Sequence, residues 1–347
     1  MTPTGGAGST IIVGAGLMGQ WHVDAARHAG AQVTAVVDRD LARAQRLARG
    51  VPGARALSDL GEALTTSGAV VHVCTGLESH MPLALAALNA GCHVLIEKPA
   101  TPDAQALDLL LAVAAERKLL VCPVHQFLFQ RGVLRISTDL ARLGTLRHFE
   151  MEVASTGAES GSRSRDEVAL EILPHGLALA ARICGTRIST RTWSLERATD
   201  GEIAVSTVVG ETRIAIRISM RGRPPVNRLR LVGDAATVEV DLFSGFAVWD
   251  TTSSSRFMKL FRPIRSSAVL GMVASVNLTS RVLRAETAYP GLRELVRRFH
   301  EATAGQGPLP IAIDETKAVT ALWTQLRLSL QARTAAIVSA DHILTRS

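Results

Sequence analysis

Between Ser9 and His125, short apolar runs alternate with segments of helical periodicity. Thr10–Gly14 is a β-branched run, and Leu17–Gly30 repeats its apolar positions at the helical period. The alternation continues through a strand at Gln32–Asp38, a helix at Leu41–Gly50, a strand at Ala69–Thr75, a helix at Met81–Ala90 and a strand at Cys92–Ile96. A helix at Ala104–Arg117 and a strand at Leu119–Val124 complete it. Short apolar strands separated by helices of this length predict βαβ units and a parallel sheet. Right-handed crossovers then give a doubly wound Rossmann sheet.

After about residue 125 the period changes to two: Glu202–Val209, Thr212–Met220, Asn227–Val232 and Thr237–Leu242 read as long strands. Tight turns at Gly210–Glu211 and Gly233–Asp234 join them as an antiparallel meander. Helices are expected before them at Asp166–Ile183 and after them at Gly291–Ala304 and Asp314–Leu330. The chain thus divides into a dinucleotide-binding domain at 1–124 and an α+β domain with a large, mostly antiparallel sheet at 125–347, its helices on one face of that sheet. The segment 253–285 mixes apolar residues with Arg256, Lys259, Arg262, Arg265, Arg281 and Arg284. It reads as an amphipathic helix pair covering the sheet or a subunit contact, or else as a surface for a lipid-like or membrane-bound substrate. An open antiparallel sheet with an apolar face to cover predicts a homodimer or homotetramer through the second domain.

Composition adds little beyond exclusions. At 347 residues and 47% hydrophobic, the chain can bury two cores. It has no apolar run of the ~20 residues that span a bilayer, so no integral membrane segment is expected. Met1–Ser9 is small and polar, lacks the order of a signal peptide and reads as a loose tail, so a cytoplasmic location is expected. The formal charge of +7 is carried almost wholly by arginine, since lysine occurs only at 98, 118, 259 and 317. Aromatics make up 4% and do not interleave with the arginines, which argues against a nucleic-acid surface. Cys74, Cys92, Cys122 and Cys184 form no C-x-x-C pair; they read as inert thiols, and no metal site is expected.

Gly14-Ala15-Gly16-Leu17-Met18-Gly19 is G-x-G-x-x-G, placed between a β-branched strand and a helix. Gly14 permits the tight turn, Gly16 admits a pyrophosphate to the backbone, and Gly19 lets helix and strand pack closely. The helix N-terminus offers N–H groups and a positive dipole end to phosphate. Asp38 ends the second strand 19 residues beyond Gly19, where an acid accepts hydrogen bonds from the adenosine ribose. Its charge repels a 2′-phosphate, so NAD is favoured. Arg39 next to it stacks on adenine or pairs a 2′-phosphate, and NADP is the alternative.

Glu97-Lys98-Pro99 closes the strand Cys92–Ile96, at the sheet end where ligands of open parallel sheets bind. A lysine in an arginine-rich chain suggests a need for a compact ammonium. The sequence resembles the glucose–fructose oxidoreductase / inositol dehydrogenase (Gfo/Idh/MocA) family. The resemblance rests on Gly14–Gly19 with Asp38, on the stretch Cys74–Ala100 and, more weakly, on Gly233–Asp241. It implies a catalytic set of Lys98, Glu171 and His175, where Glu171 stands for the family's usual aspartate in D-x-x-x-H. Spacing of i, i+4 puts Glu171 and His175 on one helix face, although Pro174 is expected to break or kink that helix. A cofactor set of Gly14, Gly16, Leu17, Met18, Gly19, Asp38, Arg39, Thr75, Gly76, His80, Glu97, Lys98 and His125 goes with it. His125 either lines the nicotinamide side of the cleft or anchors the link between domains.

Departures from the family pattern are Glu171, Ala178 where a further acid is frequent, and Gly76 where proline is common. The expected activity is hydride transfer between a nicotinamide and a carbinol or carbonyl carbon of a sugar, cyclitol or sugar nucleotide. His175 would be acid/base, Lys98 the electrostatic helper and Glu171 the tuner. Alternatives are a non-catalytic nucleotide sensor and a reductase of an imine or enone.

Overall fold

The β-branched apolar runs of the first 125 residues form strands, as their side chains favour. The computed structural model describes residues 8–156, 163–251, 256–284, 286 and 289–344, so most of the N-terminal tail expected as loose lies outside the described residues. The elements are β1 (Ser9–Val13), α1 (Leu17–His28), β2 (Gln32–Val37), α2 (Leu41–Ala48), β3 (Arg55–Leu57), β4 (Val70–Val73), α3 (Leu77–Asn89), β5 (His93–Ile96), α4 (Ala104–Glu116) and β6 (Val121–Pro123). All pairings in this sheet are parallel, in the order β3-β2-β1-β4-β5-β6. That is the doubly wound order, with its reversal between β1 and β4. Strand residues Ile11, Val13, Val71, Val73, Val94 and Ile96 and helix residues Ala84, Leu88 and Leu110 form one buried core.

Beyond β6 come α5 (Arg131–Thr138), β7 (Leu146–Ala154), α6 (Arg165–Cys184), β8 (Ser194–Thr199), β9 (Glu202–Val209), β10 (Thr212–Ser219), β11 (Val226–Gly233), β12 (Thr237–Asp241), β13 (Phe246–Asp250) and α7 (Arg256–Leu283). The helices α8 (Pro290–Thr303) and α9 (Ile313–Leu344) follow. The second sheet has seven strands in the order β13-β12-β11-β7-β10-β9-β8. β7 runs parallel to β10, and the other pairings are antiparallel. Where a helix pair is expected over 253–285, the described residues form one helix, α7.

The chain divides differently from the expected cut at 124/125. One compact unit comprises the described residues up to Phe129 and residues 289–320; the other comprises the described residues of 130–286 and 321–344. α8 explains the difference. Its buried Leu292, Leu295, Val296 and Phe299 give it an apolar stripe. Arg293 pairs with Asp24 of α1 at 2.8 Å, Trp21 of α1 meets Tyr289 edge-on, and Arg298 lies over Phe129.

In the second sheet, alternation separates two faces. Phe149, Met151, Ile214, Ile216, Leu229, Leu231, Val238 and Val240 are buried. The alternate positions carry a lattice of ion pairs: Arg228–Glu152 at 2.6 Å, Arg230–Glu150 and Arg230–Glu239 at 3.3 Å. The apolar open face expected of this sheet is therefore a charged one, because its outward positions are arginine and glutamate.

Of the break or kink expected at Pro174, the break is absent: α6 continues through it from Arg165 to Cys184. Proline has no N–H, so the Leu170 carbonyl one turn earlier loses its helical donor. The indole Nε1–H of Trp323 donates to that carbonyl at 2.8 Å. Upstream, Ser164 and Glu167 close a capping box. Gly176 fits against the sheet, where a Cβ would lie 2.9 Å from Met151 Sδ and 3.0 Å from Ile216. Trp323→Phe removes the indole donor from this buried carbonyl and is expected to cost about 1–3 kcal/mol in urea unfolding. A loss below about 0.5 kcal/mol would show that the carbonyl is satisfied otherwise.

Candidate active site

The loop after β1 is built by its glycines. Gly14 has φ +100° and donates its N–H to Val37 O at 2.7 Å; a Cβ there would stand 2.6 Å from the Cys74 carbonyl oxygen. A Cβ at Gly19 would sit 1.9 Å from the Gly14 carbonyl oxygen, so α1 packs against the loop only because position 19 has no side chain. Gly16 differs: a Cβ there meets nothing within 4 Å. It is the N-cap of α1 and makes no side-chain cap, which leaves an open backbone cradle with the positive helix end behind it. Leu17, first in the helix, is 64% exposed, and Met18 follows it. These features fit a dinucleotide pyrophosphate.

Asp38 stands at the mouth of the same loop. Its Oδ2 accepts the Ala15 N–H at 2.8 Å and its Oδ1 the Asp40 N–H at 2.9 Å. The carboxylate is fixed by two backbone donors and keeps lone pairs for further hydroxyl donors. Arg39 is exposed beside it.

Across the sheet's reversal point, β4 leads into Thr75 and Gly76, and Gly76 is the N-cap of α3. Thr75 Oγ1 accepts from Ser79 Oγ at 2.8 Å. His80 is buried; its Nδ1 is 2.9 Å from Pro99 O and its Nε2 3.0 Å from Thr75 O, tying the β4 turn to the Glu97-Lys98-Pro99 loop. His125 is buried after β6, and its carbonyl accepts the Leu128 N–H at 3.1 Å as the chain enters a 3-10 turn at Gln126–Phe129.

Glu97 points into the core rather than out of the sheet. It is 6% exposed; Oε1 lies 3.1 Å from His22 Nε2, and Oε2 accepts the Lys98 N–H at 3.1 Å. Burial pushes its carboxyl up, but the hydrogen bond and charge of His22, then the charge and N–H of Lys98, outweigh that and hold it below the usual range. His22 Nδ1 faces His72 Nδ1 at 3.0 Å, so one of the two nitrogens carries the shared proton. The His72 ring packs against His22 and His300 with centroids 5.1 and 5.6 Å apart. Burial, then the nearby His22 and His300, hold His72 well below its ordinary range. Sequence reasoning missed His22 and His72. Their signals were a histidine inside the apolar run of β4 and one three residues past Gly19, on the side of α1 that buries Val23 and Ala26.

Glu171 and His175 lie one turn apart on α6. Glu171 is part-exposed and ion-paired with Arg163, whereas His175 is 5% exposed. Cys74, Cys92 and Cys122 are buried free thiols, and burial pushes Cys184 up to about 12. Among the described residues no group of His, Cys, Asp and Glu could hold a metal ion, and no helix is long and apolar enough to cross a membrane.

A glycine loop at the reversal of a doubly wound sheet, with an acid fixed at the end of β2, defines a Rossmann fold of the dinucleotide-binding kind. Residues 9–125 match the family described as "Oxidoreductase family, NAD-binding Rossmann fold". That match, to the model of the Gfo/Idh/MocA family, covers the first sheet of the chain. It is 39% identical over 149 residues to an inositol 2-dehydrogenase of Arthrobacter sp. (strain FB24), covering 42% of this chain and 39% of that protein. The chain thus matches about two fifths of that relative's length. It is 28% identical to the UDP-N-acetylglucosamine 3-dehydrogenase of Acidithiobacillus ferrooxidans, over 68% of this chain and 74% of that one. The solved structure of that enzyme superposes with TM-score 0.70 over 92% of this chain and 96% of that one, at 20% identity. A 3-ketoreductase from Actinomadura kijaniata in complex with NADP superposes with TM-score 0.67 over 92% and 97%, at 17% identity.

Gly16, which is open, and Gly19, which is not, should separate under mutation. Gly16→Val is expected to fold with little change in melting yet lose NAD binding, because its Cβ meets nothing within 4 Å and its side chain enters the cradle. Gly19→Ala should lose about 2 kcal/mol or more of stability, because backbone must move to admit the methyl. Calorimetric titration and thermal melting of both variants check the contrast.

Proposed function

We propose that the protein transfers a hydride between NAD and the carbinol or carbonyl carbon of a sugar, cyclitol or sugar-nucleotide substrate. The observation that carries the reading is the anchoring of the Lys98 loop. Glu97 is held by His22 and holds the Lys98 N–H, at the carboxyl edge of the sheet that carries the Gly14–Gly19 loop. Similarity to an inositol 2-dehydrogenase and a UDP-N-acetylglucosamine 3-dehydrogenase supports the substrate class.

Gly14, Gly16 and Gly19, with the N–H groups of Leu17 and Met18, would hold the pyrophosphate, and Asp38 the adenosine ribose. Thr75 and Gly76 border the same edge, and His80 and His125 support it from within. Bound nicotinamide supplies the hydride acceptor or donor. His175 would take or return the substrate hydroxyl proton, and Lys98 would stabilise charge that builds on the substrate oxygen. Glu171 would tune His175 from one helical turn away. Asp38 favours NAD; NADP would instead call on Arg39.

The test is cofactor titration by calorimetry, followed by nicotinamide absorbance with inositols, hexoses and UDP-sugars. Saturable NAD binding with turnover of one of these classes is expected. Absence of NAD and NADP binding would overturn the proposal.

A further inference from the structure

The sheet, the glycine loop and the buried histidines leave α7 without a task. Its 28 residues contain no acid, and the sequence places Arg256, Lys259, Arg262 and Arg265 at one end and Arg281 and Arg284 at the other. Between them, 266–280 carries no charge. The helix is moored along one side. Arg262 pairs with Asp250 at 2.8 Å, Asn277 Nδ2 donates to Ser244 O at 2.9 Å, and Ser280 Oγ accepts from Arg131 at 3.2 Å. Helical geometry turns Leu260, Ile264, Met272, Leu278 and Val282 to the other side, and they are 63–72% exposed. Nor does α7 pack tightly on its own sheet: a cavity of about 520 Å³ lies between them, with Phe246 and Val248 on the strand side and Val269 and Leu270 on the helix side.

We infer that α7 is a docking surface for an anionic phospholipid bilayer, lying in the plane of the headgroups with its outward stripe among the acyl chains. An uncharged apolar stripe on a helix whose only charges are cationic is the pattern of an interfacial helix. Charge decides between the two occupants an apolar stripe admits. Pairing α7 in parallel with a second copy brings Arg256, Lys259 and Arg265 against their own counterparts, and no acid on either helix offsets them. Anionic headgroups are the complement of an acid-free helix that carries Arg256, Lys259 and Arg265 near its start. The arrangement suits an enzyme whose substrate is presented at a membrane, and it does not depend on the hydride-transfer reading.

Vesicle co-sedimentation of the full chain tests it, using phosphatidylcholine alone and phosphatidylcholine with phosphatidylglycerol. We expect binding to the mixed vesicles at least about tenfold stronger than to the neutral ones, and weakening as salt is raised. Ile264→Asp/Met272→Asp should lose binding while keeping its melting temperature, since both side chains are exposed. Should that variant fail to fold, Leu278→Asp and the salt dependence of the wild type carry the test. Three results overturn the inference: no preference for anionic vesicles, full binding by a folded aspartate variant, or a dimer that the variant converts to monomer with no vesicle binding by either protein. NAD titration run alongside keeps the outcome separate from that of the proposed function.

Discussion

Lys98→Met and His175→Asn should each lower turnover by about 10²–10⁴ while NAD affinity stays within a few-fold of wild type. Asparagine keeps much of the shape of a side chain that is 5% exposed but has no titratable nitrogen, so proton movement is what it removes. Methionine keeps the length of lysine without its charge, and the Glu97–Lys98 backbone bond that shapes the loop survives because it uses the main-chain N–H. Dinucleotide affinity should rest on the Gly14–Gly19 cradle and on Asp38, which neither substitution touches. Nicotinamide absorbance and NAD titration measure the two quantities independently. Full activity in His175→Asn would make that histidine structural. Tight NAD binding by a wild type that turns over no polyol, sugar or sugar nucleotide would turn the reading toward a nucleotide sensor.

Local pattern revealed the first sheet better than the second, for physical reasons. The strands of a parallel sheet are buried on both sides and appear as short apolar runs, and β1, β2, β4, β5 and β6 were found within a few residues. β3 is three residues long at the sheet edge and gives no run to see. In the second sheet β9 to β12 alternate cleanly, but β7, the central strand, reads Leu-Arg-His-Phe-Glu-Met-Glu-Val-Ala. Its outward Glu150 and Glu152 make it look polar, and their partners Arg230 and Arg228 lie on another strand. The same outward charges removed the apolar face on which the oligomer argument rested.

Tertiary partners account for the other differences. A rule about proline predicts a break or kink at Pro174; the helix continues, and Trp323, 153 residues after Leu170, supplies the donor that proline cannot. The helix α8 was visible as a helix, but its membership of the first unit depends on Asp24, Trp21 and Phe129. At the site, each glycine had its geometric reason in the motif. Glu97, by contrast, was expected at the cofactor and points inward, because His22 and His72 give its carboxylate a polar partner inside the core.

That inward pairing leads to the largest expected change in stability. His22→Leu leaves the Glu97 carboxylate buried on the Lys98 N–H without its imidazole partner, and breaking a buried pair from one side costs about 3–5 kcal/mol. Glu97→Gln keeps a hydrogen-bonding group of the same shape and should cost less. The histidines also give the stability a pH slope of definite sign. His300 is pulled down to about 4 by burial and then by His93, and His72 is also held low, so in the folded chain both stay neutral where free imidazole protonates. As pH falls below ~6.5 the unfolded chain takes up these protons and the folded chain does not, so stability declines until the folded groups titrate. For His300 alone that decline amounts to at most about 3 kcal/mol between neutrality and its folded value. Glu97 has the depressed carboxylate's behaviour, contributing above the ordinary carboxyl range and losing its contribution as pH falls through its lowered value, so its effect begins where that of His300 ends. Urea unfolding at pH 7 and pH 5 should therefore show a marked loss for wild type and a smaller one for His300→Gln. Equal losses in the two proteins would remove His300 from the explanation and leave His72 as the buried imidazole that resists protonation.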